Sequence, residues 1–318
     1  MSASADNWAA HIRAGDVRAI SRAITSIENN EADAEPLLRA LFPHTGKAYR
    51  VGVTGAPGTG KSSLVDKLAA HYRAEKKSVG IVAVDPSSPF TGGAILGDRI
   101  RMQGHAGDRG IFIRSMATRG FLGGLARATA DVALVLDAAG KDVVLVETVG
   151  VGQDEVDIMQ LADCTVVLLV PGLGDEVQHI KAGLMEIGDI FVLNKADREG
   201  SDRFEQQLLA MLSLAPERDG WKPPLLRTVA TEGKGVSELA AAVEEFRARF
   251  AARNESTARQ VARWKKRLLE LLQARLLDRV LEKYLADGAL DTLAADVAAR
   301  KKDPYGAVND VLARAGLK

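Results

Sequence analysis

Between Tyr49 and Ala230 the chain alternates short, almost unbroken apolar runs with longer amphipathic stretches. The runs are YRVGVT (49–54), VGIVAV (79–84), IFIR (111–114), DVVLVE (142–147), CTVVLLV (164–170), DIFVLN (189–194) and LLRTVA (225–230). Apolar residues at successive positions suit strands buried on both faces. Helical stretches between such strands predict an α/β fold, a mostly parallel sheet covered by helices on both sides.

The flanks follow a different period. Trp8, Ile12, Val17, Ile20, Ala23 and Ile24 recur at three-to-five spacings, which predicts helices, with Asp16 placed to cap the second. After Val236 the strand pattern stops. One amphipathic helix is expected over 236–250 and a second over about 257–287, where Val261, Trp264, Leu268, Leu271, Arg275 and Val280 fall near helical spacing. Two shorter helical pieces follow, broken by Gly288 and Pro304. The expected organisation is an N-terminal helical extension (1–45), an α/β domain (46–252) and a C-terminal helical arm (253–318).

Composition narrows the function. The chain has 318 residues, 47% of them hydrophobic, and its 42 basic and 42 acidic side chains cancel. A globally basic surface for nucleic acid is therefore not indicated. The helix near 257–286 is locally basic, but it lacks interleaved aromatic residues and reads as a solvated face beside an apolar stripe. The single cysteine, Cys164, lies in an apolar run and reads as a core residue. No run approaches the ~20 apolar residues of a membrane span, and the first residues lack a signal-peptide pattern. A cytoplasmic protein with neither a membrane nor a nucleic-acid partner is expected.

GAPGTGKSS, Gly55 to Ser63, fits G-x-x-x-x-G-K-[ST] and lies between a predicted strand and a predicted helix. Such a loop cradles phosphates with backbone N–H groups at a helix N-terminus. Gly55, Gly58 and Gly60 permit close approach, Thr59 and Ser63 complete the cradle, Lys61 reaches the β- and γ-phosphates, and the Ser62 hydroxyl ligates Mg²⁺. NKAD, Asn194 to Asp197, follows a later strand. The Asp197 carboxylate can accept from guanine N1–H and its exocyclic amine, donors that adenine lacks at those positions. Lys195 would lay its stem along the base, and Asn194 would tie this loop to the phosphate loop. The four letters alone would equally fit a helix start. In TVATEGKG (228–235), Ala230 is the candidate to offer a backbone N–H to guanine O6, against an ordinary glycine-rich turn.

Carboxylates at strand ends supply the cation side. Asp85 ends the second run, Asp98 sits in a Gly-Asp-Arg that also fits a helix start, and Glu147 ends the fourth run in the Walker B position. With Ser62 they form the candidate Mg²⁺ set, and Lys61, Asp98 and Glu147 form the candidate catalytic set. Gly150 is placed to sense a γ-phosphate. Gln153 either orients water or starts a helix. Pro86, Pro89, Gly92 and Gly93 make the segment after Asp85 a loop, as a nucleotide switch needs.

Together GAPGTGKSS, VDPSSPFTGGAILGDRIRM, VETVGVGQDEVDI and PGLGDEVQHIKAGLMEIGDIFVLNKAD, with the helical tails, resemble the MeaB/ArgK/MMAA GTPases, P-loop proteins of the SIMIBI class. The resemblance runs from about residue 8 to 318. It implies a G-protein chaperone that gates adenosylcobalamin loading into an acyl-CoA mutase, typically methylmalonyl-CoA mutase, and protects or reactivates it. The resemblance implies that adenosylcobalamin is handled by that partner, not bound by this chain. It also implies slow intrinsic GTP hydrolysis that the partner accelerates, and a homodimer formed through the C-terminal helices. Nucleotide and Mg²⁺ contacts are implied at Lys61, Ser62, Asp85, Asp98, Glu147, Asn194, Lys195 and Asp197. The segment GDEVQHIK matches a mobile element in which Asp175, Glu176, Gln178 and Lys181 couple to the mutase. Read from residues alone, it is a helix start after a Pro-Gly turn.

Three rivals share the phosphate signal. A P-loop kinase would need an acceptor pocket. A nickel-insertion GTPase would need clustered thiols or imidazoles, whereas the five histidines are scattered. A signal-recognition GTPase would carry a Met-rich appendage, and no methionine follows Met211.

Overall fold

The structure is a computed structural model. It describes residues 3–85, 107–117, 124–148, 161–172, 185–214, 217, 220–252, 255–285 and 288–317. The chain forms two compact units, Met1–Phe250 and Ala251–Lys318.

In the first unit, seven strands among the described residues form one parallel sheet: β1 (Tyr49–Thr54), β2 (Val79–Asp85), β3 (Ile111–Ala117), β4 (Val143–Glu147), β5 (Cys164–Leu169), β6 (Ile190–Asn194) and β7 (Leu225–Thr228). Their order is β3-β2-β4-β1-β5-β6-β7, with every pairing parallel. Every residue of β4, β5 and β6 is buried, as their unbroken apolar runs require. The connections reverse direction beside β1. In open α/β sheets that switch point opens a crevice outside the carboxyl ends of the strands.

Alternate strand residues feed different layers. On one face Val51, Val53, Leu145 and Val166 pack against α4 (Lys61–Ala74) and α7 (Val236–Ala252) through Leu64, Leu68, Leu239 and Phe246. On the other, Val82, Val144 and Val146 meet α1 (Ala3–Arg13), α2 (Val17–Glu28), α3 (Ala34–Leu41) and α5 (Gly124–Ala138) through Ile12, Ile24, Leu37 and Leu136. A third cluster seats α6 (Ser201–Leu214) on β5 and β6. Asp16 caps α2, its Oδ1 accepting from the Arg18 and Ala19 amides at 2.8 and 3.0 Å. Asp137, near the end of α5, accepts from the backbone N–H groups of Gly46, Lys47 and Ala48 and so fastens the chain just ahead of β1.

Two strand limits differ from expectation by more than one residue. β3 continues three residues past Arg114, to Ala117. It is an edge strand, and Arg114 pairs with Glu28 of α2, so a polar position there does not end the strand. β7 stops at Thr228, and Ala230–Glu232 form a 3₁₀ turn rather than the strand end expected up to residue 230.

The second unit holds α8 (Glu255–Tyr284), α9 (Ala289–Ala298) and α10 (Pro304–Arg314). Pro304 starts α10, in the first-turn position that needs no N–H, and Asp303 Oδ1 caps the Gly306 amide at 2.8 Å. On α8, Val261, Trp264, Leu268, Leu269, Leu272, Leu276 and Leu277 are exposed. Among the described residues, no helix is long and apolar enough to cross a membrane.

Candidate functional site

The site gathers at the carboxyl ends of β1, β4 and β6. Residues 55–60 connect β1 to α4, with positive φ at Gly55 (144°), Gly58 (80°) and Gly60 (94°). Gly55 and Gly60 also have no room for a side chain. A Cβ on Gly55 would lie 2.3 Å from the Leu168 carbonyl oxygen, and one on Gly60 would lie 2.5 Å from Asn194 Nδ2. The loop is held internally by Thr59 Oγ1, which donates to the Ala56 carbonyl at 2.8 Å. Lys61, buried at the first position of α4, donates through Nζ to the Gly55 and Ala56 carbonyls at 2.6 and 3.0 Å. The ammonium is thus folded over the loop, at the positive end of a 14-residue helix. Ser63 is half-buried in the first turn of the same helix.

Glu147 is buried at the end of β4, in register with Val53 of β1 and Ala83 of β2. Its Oε1 accepts from Ser62 Oγ at 2.6 Å. The next residue is pinned as well: the Thr148 amide donates to the Val53 carbonyl at 3.1 Å and its hydroxyl to Thr54 Oγ1 at 3.0 Å. A hydroxyl and a carboxylate meeting beside a phosphate-type loop are hard oxygen donors of the kind Mg²⁺ selects, so these residues fit such an ion. Asp85 closes β2 in the backbone. The Asp85 side chain, Asp98, Gly150, Gln153, Asp175, Glu176, Gln178 and Lys181 lie outside the described residues, and among those described no cluster of three or more metal-type ligands occurs.

The NKAD loop is fastened to the phosphate loop at two points. Asn194 Nδ2 donates to the Thr59 carbonyl at 2.8 Å, and Lys195 Nζ donates to the Gly58 carbonyl at 2.6 Å. Lys195 adopts φ 55°, an uncommon angle for a residue with a side chain. Asp197 is exposed at the rim. On its other side Asn194 Oδ1 accepts from Thr228 Oγ1 at 2.9 Å and from the Ala230 N–H at 3.1 Å. The amide expected to face a base is therefore engaged by Asn194. Thr228 is no part of the recognisable motifs, although TVATEGKG places its hydroxyl two positions before Ala230. One asparagine thus joins three segments: the phosphate loop, the end of β6 and the turn after β7.

A glycine-rich loop from β1 into α4, a buried acid on the adjacent strand and an NKAD loop laced to the glycine-rich loop define a P-loop NTPase of the SIMIBI class. The comparison with protein families is specific. The model described as methylmalonyl-CoA mutase-associated GTPase MeaB matches residues 20–284, and the chain belongs to that family of GTPases. A protein named as a GTPase in Pyrococcus abyssi is 49% identical over 313 residues, covering 96% of this chain and 95% of its own length. GTPase ArgK of Escherichia coli is 38% identical over 244 residues, 74% of each chain. Among solved structures, the crystal structure of an LAO/AO transport system kinase superposes with a TM-score of 0.74 at 26% identity, covering 98% of this chain and 97% of that one.

Proposed function

We propose that this GTPase is a chaperone for an adenosylcobalamin-dependent acyl-CoA mutase, methylmalonyl-CoA mutase or a close relative. It gates loading of the cofactor and protects or reactivates the mutase. The observation that carries the nucleotide half of this reading is the double tie of Asn194 and Lys195 to the phosphate loop, which sets a base-reading loop at a fixed distance from a phosphate-reading one. The family's description as mutase-associated supports the partner half.

In this reading the amides of Gly55, Gly58, Thr59, Gly60 and Ser63 hold the phosphates, Lys61 neutralises the β- and γ-phosphates, and Asp197 reads guanine. Lys195 lines the base, while the Ala230 amide, bonded to Asn194 Oδ1, braces the NKAD loop rather than facing O6. Ser62, Glu147, Asp85 and Asp98 hold Mg²⁺, which when bound offsets charge on the phosphate oxygens. Gly150 senses the γ-phosphate, and Asp175, Glu176, Gln178 and Lys181 couple to the mutase. Phosphoryl transfer depends on positioning and charge stabilisation more than on covalent chemistry. Intrinsic hydrolysis is slow because the switch segments complete the site only when the partner orders them. The exposed apolar face of α8 supports a homodimer through the C-terminal helices, and the protein acts in the cytoplasm.

The test is affinity capture from native extract with the protein loaded with GDP or a GTP analogue. Recovery of a cobalamin-dependent mutase subunit in one nucleotide state is expected, and its absence in both states contradicts the reading. The name of the LAO/AO kinase neighbour favours one alternative, phosphoryl transfer to a protein acceptor. Labelled γ-phosphate appearing on a protein rather than in solution would establish it.

A further inference from the structure

Ala196, the residue before Asp197, is gripped at both ends. Its N–H donates to the Thr228 carbonyl at 3.1 Å. Its carbonyl accepts from Ser201 Oγ at 3.0 Å and from Arg227 Nη2 at 3.1 Å. The guanidinium has further work. Nη2 also reaches Ser201 Oγ at 3.4 Å, while Nη1 donates to Asp202 Oδ1 at 2.7 Å and Glu205 Oε2 at 2.8 Å. Arg227 therefore bridges the first turns of α6 to the carbonyl that belongs to the Ala196–Asp197 peptide.

Two points argue against a role in folding alone. The Arg227 side chain is 41% exposed and that of Asp202 is 87% exposed, so their ion pair is screened and contributes little to stability. The donors also split by lobe, one nitrogen to the carboxylates and the other to the loop. That division needs a planar fork, which a lysine ammonium does not have. The carboxylates orient the fork, and the fork fixes the plane of the peptide from which Asp197 projects.

We propose that Arg227 is a positioning residue for base recognition. Seated by Asp202 and Glu205, it holds the Ala196–Asp197 peptide so that the Asp197 carboxylate meets both guanine donors, N1–H and the 2-amino group. The proposal rests on the reading of Asp197 as the guanine-binding acid. A loosened peptide would still let the carboxylate reach one donor but would lose the two-point fit, so discrimination suffers more than affinity for a one-point ligand.

The measurement compares dissociation constants for GDP and for IDP, which lacks the 2-amino group, in wild type, Arg227→Ala, Arg227→Lys and Ser201→Ala. Wild type is expected to prefer GDP. In Arg227→Ala the preference should narrow about fivefold, through weaker GDP binding with IDP binding nearly unchanged. Arg227→Lys should not restore it, and the melting temperature of the nucleotide-free protein should move little. Ser201→Ala removes the other side-chain donor to the same carbonyl and should narrow the preference in the same direction, which keeps the test decisive should Arg227→Ala fail to fold. A wild-type preference retained by these variants, or GDP and IDP weakened equally, overturns the positioning role. Equal binding of GDP and IDP by wild type overturns the guanine reading itself, and the positioning role with it.

Discussion

Asn194 Nδ2 lies 2.8 Å from the carbonyl oxygen of Thr59, a residue 135 positions earlier in the chain. The contact is buried, and through Oδ1 the same side chain holds Thr228 and Ala230. The phosphate loop, the NKAD loop and the turn after β7 are therefore tied together by one side chain. A nucleotide that touches both ends gains from that preorganisation, because the loops need not be ordered on binding.

Asn194→Ala should remove this tie at all three points and leave the Thr59 carbonyl and Ala230 amide without that partner. A loss of about 2–3 kcal/mol in stability is expected, the scale of buried groups deprived of their hydrogen bonds. Urea unfolding reads the stability, and GDP titration should show affinity weakened at least about tenfold.

The loop glycines should rank by what a Cβ would meet. Gly55→Ala drives a methyl group to 2.3 Å from a backbone oxygen of β5, which cannot swing away. Gly60→Ala meets the Asn194 amide at 2.5 Å, a side chain that can yield by giving up its bond to Thr59. Gly58→Ala meets nothing within 4 Å and bears only the positive-φ penalty, about 1–2 kcal/mol. Thermal unfolding should therefore order the variants Gly55→Ala, Gly60→Ala, Gly58→Ala, from most to least destabilised.

Glu147→Gln keeps a hydrogen-bonding partner for Ser62 but removes the negative charge. GTP hydrolysis under single-turnover conditions should fall about 100-fold, the range seen when one transition-state contact is removed. GDP binding should stay within about threefold, since most ground-state contacts are to the loop amides and Lys61. Equal losses in binding and hydrolysis would instead assign Glu147 to loop architecture.

Burial pushes the Tyr72 phenol well above its ordinary value of 10.0, and the nearby Glu244 and Glu75 carboxylates add to the shift. The folded protein therefore keeps this proton where the unfolded chain has lost it. The resulting stability is fully present below about pH 10 and is lost as pH rises beyond that value. Among the described residues the Tyr72 hydroxyl has no hydrogen-bond partner. Tyr72→Phe should thus change stability at pH 7 by less than about 1 kcal/mol and flatten the decline between pH 10 and 11, as followed by urea unfolding across that range.

Strand positions were legible because residues buried on both faces must be apolar at nearly every position, and β4, β5 and β6 are. The helix Lys61–Ala74 was legible for a related reason, since the glycine loop marks where it starts. Arg114 obscured the length of β3, because its partner Glu28 lies 86 residues away and no local pattern announces the pairing. Distance in sequence hid other contacts in the same way. Asp137 holds three amides about 90 residues upstream, which no local pattern announces. Arg227 stands within LLRTVA, and its bond to Ala196 spans 31 residues. Motifs record groups that touch a ligand, whereas the groups that hold them in place are written only in the fold.

The most direct measurement follows single-turnover GTP hydrolysis by the purified protein, alone and with an adenosylcobalamin-dependent acyl-CoA mutase from the same source. Hydrolysis should be slow alone and at least about tenfold faster with the mutase, as expected when a partner orders groups that stabilise the transition state. The same rate with and without each such mutase would contradict a chaperone whose nucleotide cycle is timed by its client.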